Sequence, residues 1–309
     1  MRGRLRFRRR PLFKVFQIRM PALRALIVAK KSAFETYFNE YQEHPLRKLV
    51  RQGDKALLGI RRSHNTHYQT LSRVKAALKK RNIPFRVCFR GQSLDPKNHD
   101  LVISVGGDGT FLEASRGLDR QMILGVNSDQ THSVGKLCAA GDGNFEKCLD
   151  RIVRGDFRVK KINRMKIFFN GKALGFLVLN DILISHACPA AMSHYVLKVG
   201  AHSERQRSSG VWVSTAVGST AVMRSAGGRR MAEESVSLQY LPRELFSGHG
   251  DRYRLTGGMI PRGKSLSIVS QMQEGRLYLD GAHRSMSFEY GDRIRVTNGN
   301  PLKTVFFHR

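Results

Sequence analysis

Acidic residues are scarce in this sequence: 24 Asp and Glu stand against 54 Lys and Arg in 309 residues, a formal net charge of +30. A surface of that sign attracts polyanions, whether nucleic acid, anionic lipid or phosphorylated small molecules. The basic residues are spread along the chain without an aromatic-interleaved cluster, so nucleic-acid binding is expected to be at most non-specific. Cysteine is sparse too. Cys88, Cys138, Cys148 and Cys188 lack the paired spacing of a zinc site or redox dithiol, which leaves free thiols in a reducing compartment. No apolar run approaches the roughly 18 residues of a membrane span, and Arg6 to Arg10 interrupts what would be a secretory signal's apolar region. Gly and Pro are scattered without a period, no internal repeat or low-complexity segment occurs, and hydrophobic residues reach 41%, which excludes collagen-like and disordered classes and fits a folded globular protein.

The length suits two domains of roughly 100 to 200 residues each. Residues 1–19 are Arg-rich and free of acidic residues, and read as a basic, flexible N-terminal tail. From 20 to 157 short apolar runs alternate with helical spacing: strands at Leu26 to Val28, Phe85 to Phe89, Leu101 to Val105 and Met122 to Val126, helices at Leu71 to Lys80, Thr110 to Leu118 and Phe145 to Val153. Strands separated by helices pair in parallel and make an α/β sheet. From 158 to 290 the texture becomes β-rich, with Val159 to Phe169, Ala173 to Ile184, His194 to Val199, Val211 to Thr215, Leu266 to Val269 and Leu277 to Leu279 divided by turn signals such as Asn170-Gly171. The expected fold class is therefore an N-terminal parallel-sheet α/β domain followed by an all-β, sandwich-like domain, with 291–309, including Ile294 to Val296, as a C-terminal segment able to return to the first domain.

The strand Leu101 to Val105 runs straight into Gly106-Gly107-Asp108-Gly109-Thr110 and then a helix. Such a junction binds phosphates, because glycines let the backbone approach the anion and free amides point at it. A carboxylate among those glycines would repel a phosphate, so Asp108 has to face a hydroxyl, a metal ion or both. On its own, the string also fits a tight turn with Asp108 capping the helix. Three further segments are ordinary taken singly: Asn127 at the end of the next strand, Asn180-Asp181 in an apolar run, and the hydroxyl-rich turn Gly218-Ser219-Thr220-Ala221 with Ser225-Ala226-Gly227-Gly228 behind it.

In this order, over about residues 22 to 300, the set resembles the NAD kinase family, with Asp280-Gly281 and the turn Gly291-Asp292 similar to its terminal strand pair. The details look most like the branch that includes the mitochondrial enzymes. The resemblance implies an ATP-dependent kinase acting on the adenosine-ribose 2′-hydroxyl of NAD, or of NADH, to give NADP. It implies ATP with Mg²⁺ as phosphate donor, Asp108 at the attacking hydroxyl, Asn180 on the adenine and Asp181 on the ribose. Gly106, Gly107, Gly109, Thr110, Asn127, Gly218, Ser219, Thr220 and Ser225 are expected around the substrates, and a homodimer or homotetramer is expected. The protein-held metal ligands and the phosphate-neutralising cation are unassigned. Three departures stand out: Val222 replaces an aromatic residue, Gly135-Lys136-Leu137-Cys138-Ala139 follows an enlarged loop Ser128 to Val134, and Ser209 replaces an acidic residue near the nicotinamide end.

Two other readings share parts of the pattern. A diacylglycerol- or sphingosine-type lipid kinase would share the first motif and the basic surface, but not Asn180-Asp181 or the third turn. A non-catalytic nucleotide sensor would not require Asp108. His132, His186 and His194 stand in no metal or triad spacing, and Glu233-Glu234 reads as a solvated turn. A bacterial protein of this kind would belong in the cytoplasm; in a eukaryote the Arg-rich start is compatible with mitochondria.

Overall fold

A computed structural model describes residues 23–40, 55–248 and 252–307; the basic tail 1–19 lies outside the described residues. The first sheet is built from β1 (Ala25–Ala29), β2 (Phe85–Phe89), β3 (Leu101–Gly106), β4 (Met122–Asn127), the short β5 (Ala140–Gly141) and β6 (Arg158–Ile162). A strand from the far end of the chain joins it, giving the order β2, β1, β3, β4, last strand, β6, with β5 beside β4.

β1, β3 and β4 are buried along their whole length. Alternate residues explain why they read as unbroken apolar runs. Ala25, Ile27 and Ala29 of β1 face one core with Leu71, Val74 and Leu78 of the helix Lys55–Lys80 and Leu149 and Ile152 of the helix Phe145–Val153. Leu26 and Val28 face the other core with Phe111, Leu112 and Ala114 of the helix Asp108–Ser115. Burial on both faces is the mark of a helix-covered parallel sheet.

The rest of the chain forms two antiparallel sheets. Its strands are β7 (Met165–Phe169), β8 (Lys172–Ala173), β9 (Asp181–His186), β10 (Ser193–Val199), β11 (His202–Ser208), β12 (Val211–Ser214), β13 (Leu238–Pro242), β14 (Gly258–Ile260), β15 (Leu266–Ser270), β16 (Gly275–Leu279), β17 (Ser285–Ser287) and β18 (Arg293–Asn298), before β19 (Leu302–Phe306) returns to the first sheet. The orders are β11-β10-β15-β18-β7-β8 and β14-β13-β12-β9-β16-β17. Period-2 residues from both, Leu197, Ile268 and Val296 from one and Ile184, Val213 and Leu277 from the other, meet in a single core, so the two sheets make a sandwich.

Several sequence expectations are corrected at element level. Val159 to Phe169 is divided: β6 pairs antiparallel with β19 in the first sheet, while β7 pairs with β18 in the sandwich. The break is Asn163-Arg164, where fully buried Arg164 donates to the carbonyls of Ser115, Leu118 and Asn300 at 2.9, 2.8 and 2.9 Å. Ala173 to Ile184 is likewise discontinuous, with regular strand only at its two ends, so Asn180 precedes β9 and Asp181 opens it. The helix expected from Leu71 begins at Lys55, and that expected over Thr110 to Leu118 runs from Asp108 to Ser115.

Candidate active site

The chain leaves β1 toward β2 on one side and returns to β3 on the other, so the order of the parallel strands reverses between β1 and β3. In open α/β sheets the carboxyl ends at such a reversal form the ligand crevice. Gly106-Gly107-Asp108 sits there, with Asp108 as the first residue of its helix. The glycines are required by contact: a Cβ on Gly106 would strike the Thr110 hydroxyl, and one on Gly107 would strike the Ser133 hydroxyl of the loop that follows β4.

Asp108 is half-buried and held by that loop. Its Oδ1 accepts from the amide of Leu137 at 2.8 Å and its Oδ2 from the amide of Lys136 at 3.1 Å. Burial, followed by the charge of Asp108, raises the neighbouring Cys138 thiol to about 12, which keeps it protonated and unreactive. Asn127 is spent on the loop: its Nδ2 donates to the Ser133 carbonyl at 2.9 Å and its Oδ1 accepts from the Asp129 amide at 3.1 Å. Gly135 lies at φ +58°, and a Cβ there would run into the Asn127 amide. The structure therefore turns Asn127 toward holding the loop that holds Asp108.

The second and third motifs come together on the sandwich side. Ser214 lies opposite Asp181 in register between β12 and β9. The Asn180 carbonyl accepts from the Thr215 amide at 2.9 Å, and the Thr215 hydroxyl donates to the Leu179 carbonyl at 2.6 Å. Gly218 packs so closely that a Cβ would overlap the Asn180 carbonyl. Ser219 is fully buried; its hydroxyl donates to the Ala216 carbonyl and accepts from the Met231 amide at 2.9 Å, so it shapes the turn. Ser225 is exposed in the short helix Val222–Ser225, with exposed Val222 at the start. Lys136 ties the two halves, its backbone amide on Asp108 and its ammonium on the Thr220 hydroxyl.

Asn180 and Asp181 are braced from behind. Buried Asp280 accepts from the amides of Asn180 at 2.7 Å and Leu179 at 3.1 Å, and the Arg116 guanidinium stands 3.7 Å from it. Burial, then the charge of Asp280, pushes the Asp181 carboxyl up to about 7, and burial also raises Asp280. The Asn180 Oδ1 is buried with no hydrogen-bond partner. An orphaned acceptor of this kind is costly unless a ligand donor meets it.

Cations that the sequence reading left unnamed also reach the crevice. Arg90, just past β2, is fixed by Glu113 at 2.9 Å, and its Nη1 comes within 3.7 Å of where a Gly109 Cβ would stand. Lys30 follows β1; burial, and after it the nearby Arg90 charge, lowers its pKa, while Asp129 opposes this. Beneath them the fully buried His67 pairs with the Lys30 carbonyl at 2.9 Å and the Ser128 hydroxyl at 2.8 Å, and burial lowers it to about 4, so it is neutral. The available signal for Lys30 and Arg90 was their position directly after apolar strands. Nothing in the spacing of Ser63, His64 and His67 along a helix linked them to Asp129 or Ser32, which they meet only in three dimensions. His132 pairs with Asp129 at 3.0 Å, while His186 accepts from the Cys188 amide at 3.0 Å. Glu233 is paired with Lys160.

A parallel sheet carrying a Gly-Gly-Asp-Gly turn at its switch point, closed by a sandwich that presents a hydroxyl-rich turn, defines a two-layered α/β-and-sandwich protein with a crevice suited to a phosphate-bearing ligand. No family model matches the chain. It is 36% identical over 262 residues to a protein described as "Probable NADH kinase" from Oryza sativa subsp. japonica, covering 77% of this chain and 81% of that protein. It is 35% identical over 273 residues to the NADH kinase of Arabidopsis thaliana, covering 78% and 83%. The chain belongs to the NAD kinase family. The mitochondrial NAD kinase 2 of Homo sapiens is 28% identical over 162 residues, 49% of this chain and 37% of that protein. Among solved structures, an NAD kinase from Archaeoglobus fulgidus in complex with ATP matches with a TM-score of 0.65 at 24% identity, covering 93% of this chain and 94% of the other. A yeast NADH kinase complexed with NADH matches with 0.67 at 14% identity, covering 93% and 84%. At those identities the two structures speak for the fold.

Proposed function

We propose that this protein is a kinase that transfers the γ-phosphate of ATP to the adenosine-ribose 2′-hydroxyl of NAD, and of NADH, producing NADP or NADPH. The observation that carries the reading is the meeting of all three motifs at one crevice, with Lys136 touching both Asp108 and Thr220. In this reading the substrates lie between the α/β unit, whose sheet also takes in β6 and β19, and the sandwich of β7 to β18. The orphaned Asn180 Oδ1 accepts from the adenine amino group, and Asp181 holds the ribose.

Phosphoryl transfer leaves the protein mainly positioning and charge neutralisation to perform. Asp108 accepts one amide on each carboxylate oxygen, which fixes its plane and leaves lone pairs for the 2′-hydroxyl. It orients the hydroxyl and takes its proton late, as the bond to phosphorus forms. The amides of Gly107 to Gly109 at the helix start, with Arg90, Lys30 and Lys136, offset the donor's phosphates. Mg²⁺ carried by ATP would, when bound, supply charge neutralisation with few protein ligands, and the Asp108 carboxylate beside the turn would be the residue to meet it. We further propose a homodimer or homotetramer and, in a eukaryotic host, a mitochondrial location, which the mitochondrial relatives support.

One coupled assay tests the reading: purified protein with NAD, ATP and Mg²⁺, monitored through an NADP-specific dehydrogenase, against labelled-lipid detection with diacylglycerol. NADP formation is expected; a phosphorylated lipid without NADP would favour the lipid kinase.

A further inference from the structure

The parallel sheet has two ends, and the crevice described above uses only one. At the other end, β6 finishes at Ile162 opposite Leu302, where β19 begins. β19 runs parallel to β4 with Lys303 beside Met122, so Leu302 lies where the parallel strands start, away from the turn that follows β3. Both chain crossings between the sheet and the sandwich, Asn163-Arg164 and Gly299 to Pro301, pass here, and they line or border a cavity of about 760 Å³.

Lys161, Lys166, Arg262 and Lys264 line this cavity against a single carboxylate, Glu234. None of these five side chains makes an ion pair within 4.0 Å among the described residues. Lys166 is half-buried. Its ammonium lies 5.2 Å from the centre of the Phe168 ring and the other three cations are exposed, and four like charges bordering one concavity favour an occupant that carries several negative charges. Asn163 and Asn298, also on the wall, each keep one buried side-chain atom without a partner, Nδ2 and Oδ1. The volume falls in the range of small-molecule sites, roughly 300 to 1,000 Å³. The three walls come from different parts of the chain: the β6–β7 crossing, the β14–β15 turn at Pro261 to Lys264, and the β18–β19 crossing.

We propose that this cavity is a second anion site, separate from the crevice, which binds an oligophosphate group, either free or borne by a nucleotide. A bound oligophosphate would join the four cations across the seam. Through Asn300, whose carbonyl accepts from Arg164, it would also stiffen the crossing packed on the end of the helix that begins with Asp108. The inference does not rest on the kinase reading, because the crevice and the cavity are lined by different residues.

The test is equilibrium dialysis of the full chain with inorganic tripolyphosphate and, separately, with ATP, at about 0.15 M salt so that diffuse surface attraction is screened. The wild type is expected to bind two tripolyphosphates per chain, one at each site. Lys166→Gln/Arg262→Gln is expected to bind one, with affinity at the cavity at least tenfold weaker. Lys264→Gln, confined to an exposed turn, is expected to weaken the same site about threefold and guards against misfolding of the pair. Lys97→Gln/Lys147→Gln, two exposed cations elsewhere, is expected to change neither stoichiometry nor affinity. Tighter binding of ATP than of tripolyphosphate at the cavity would assign the ligand to nucleotides, the reverse to inorganic oligophosphate, and either sustains the proposal. Unchanged binding in Lys166→Gln/Arg262→Gln, or equal losses in the Lys97/Lys147 reference, would overturn it and leave only general surface basicity; a single wild-type site that Lys166→Gln/Arg262→Gln abolishes, or loss of NADP formation with the cavity site intact, would count against the kinase reading alone.

Discussion

At the residue scale, Asp108, the proposed partner of the reacting hydroxyl, is already oriented by the amides of Lys136 and Leu137. Asp108→Asn keeps the shape and one acceptor oxygen but replaces the carboxylate that would take the hydroxyl's proton with a neutral amide. Turnover is expected to fall by roughly 100-fold or more, with NAD and ATP binding changed by no more than a few fold. Single-turnover kinetics with binding titrations measure both, and retention of a tenth of wild-type kcat would remove Asp108 from the mechanism. Asp181 gives a second prediction with a definite sign. Its carboxyl is raised to about 7 by burial and by Asp280, with Arg116 the cation facing that pair. A raised acid favours folding in its protonated form: that contribution is full below the ordinary carboxylate range near 3.9 and is lost as pH rises through about 7. Asp181→Asn should therefore stabilise the protein at pH 8 relative to wild type and make little difference at pH 3.5, as read by urea denaturation, while raising the KM for NAD at both ends of the working range. Asp108 was legible as a carboxylate in a glycine-rich strand-to-helix turn, whereas Asn180, Asp181 and Gly218, ordinary taken singly, stood out through the ordered resemblance to the NAD kinase family. Lys30, Arg90 and Lys136 were not, because in a chain with 54 Lys and Arg no single cation stands out.

At the element scale, the turn that follows β12 is fitted to the segment that precedes β9. Gly218→Ala places a methyl against the Asn180 carbonyl and the Ser214 hydroxyl. Overpacking of this kind costs about 1–3 kcal/mol, and here it should also displace Asn180, raising the KM for NAD more than that for ATP. Steady-state kinetics on both substrates check this; equal changes would mean that the turn does not serve the dinucleotide. The parallel strands could be read from sequence because both faces are buried. β11 could not: its run His202–Ser208 is almost wholly polar and is strand only because β10 pairs along its full length. The division of Val159 to Phe169 escaped detection for a related reason. Nothing local marks Arg164 as buried, since its carbonyl partners lie 46 to 136 residues away in the chain.

At the scale of the whole molecule, Ser209 stands just before β12, at the end opposite Ser214. The extended strand between them, Val211–Ser214, spans roughly 10 Å. In an oligomer whose crevices are completed by a neighbour, Ser209 would serve the adjoining subunit's nicotinamide. An acidic residue there would favour the positively charged oxidised ring; serine gains nothing from it. NADH is therefore expected to be phosphorylated with kcat/KM within roughly tenfold of NAD, about 1.4 kcal/mol of discrimination, and Ser209→Asp should shift preference toward NAD. Kinetics on both dinucleotides, with light scattering for subunit number, test the two parts together: NADH turnover a hundredfold below that of NAD, or a fully active monomer, would contradict them.

The central claim is that one crevice, built on Asp108, phosphorylates NAD at the expense of ATP. Its most direct test is the product itself. The full chain and Asp108→Asn are incubated with NAD, ATP and Mg²⁺, and NADP is quantified enzymatically with its phosphate position read by ³¹P NMR. Stoichiometric NADP, phosphorylated at the adenosine-ribose 2′ position, is expected from the wild type, and at least a hundredfold less from the variant. Phosphate elsewhere on the dinucleotide, or equal NADP from both proteins, would contradict it.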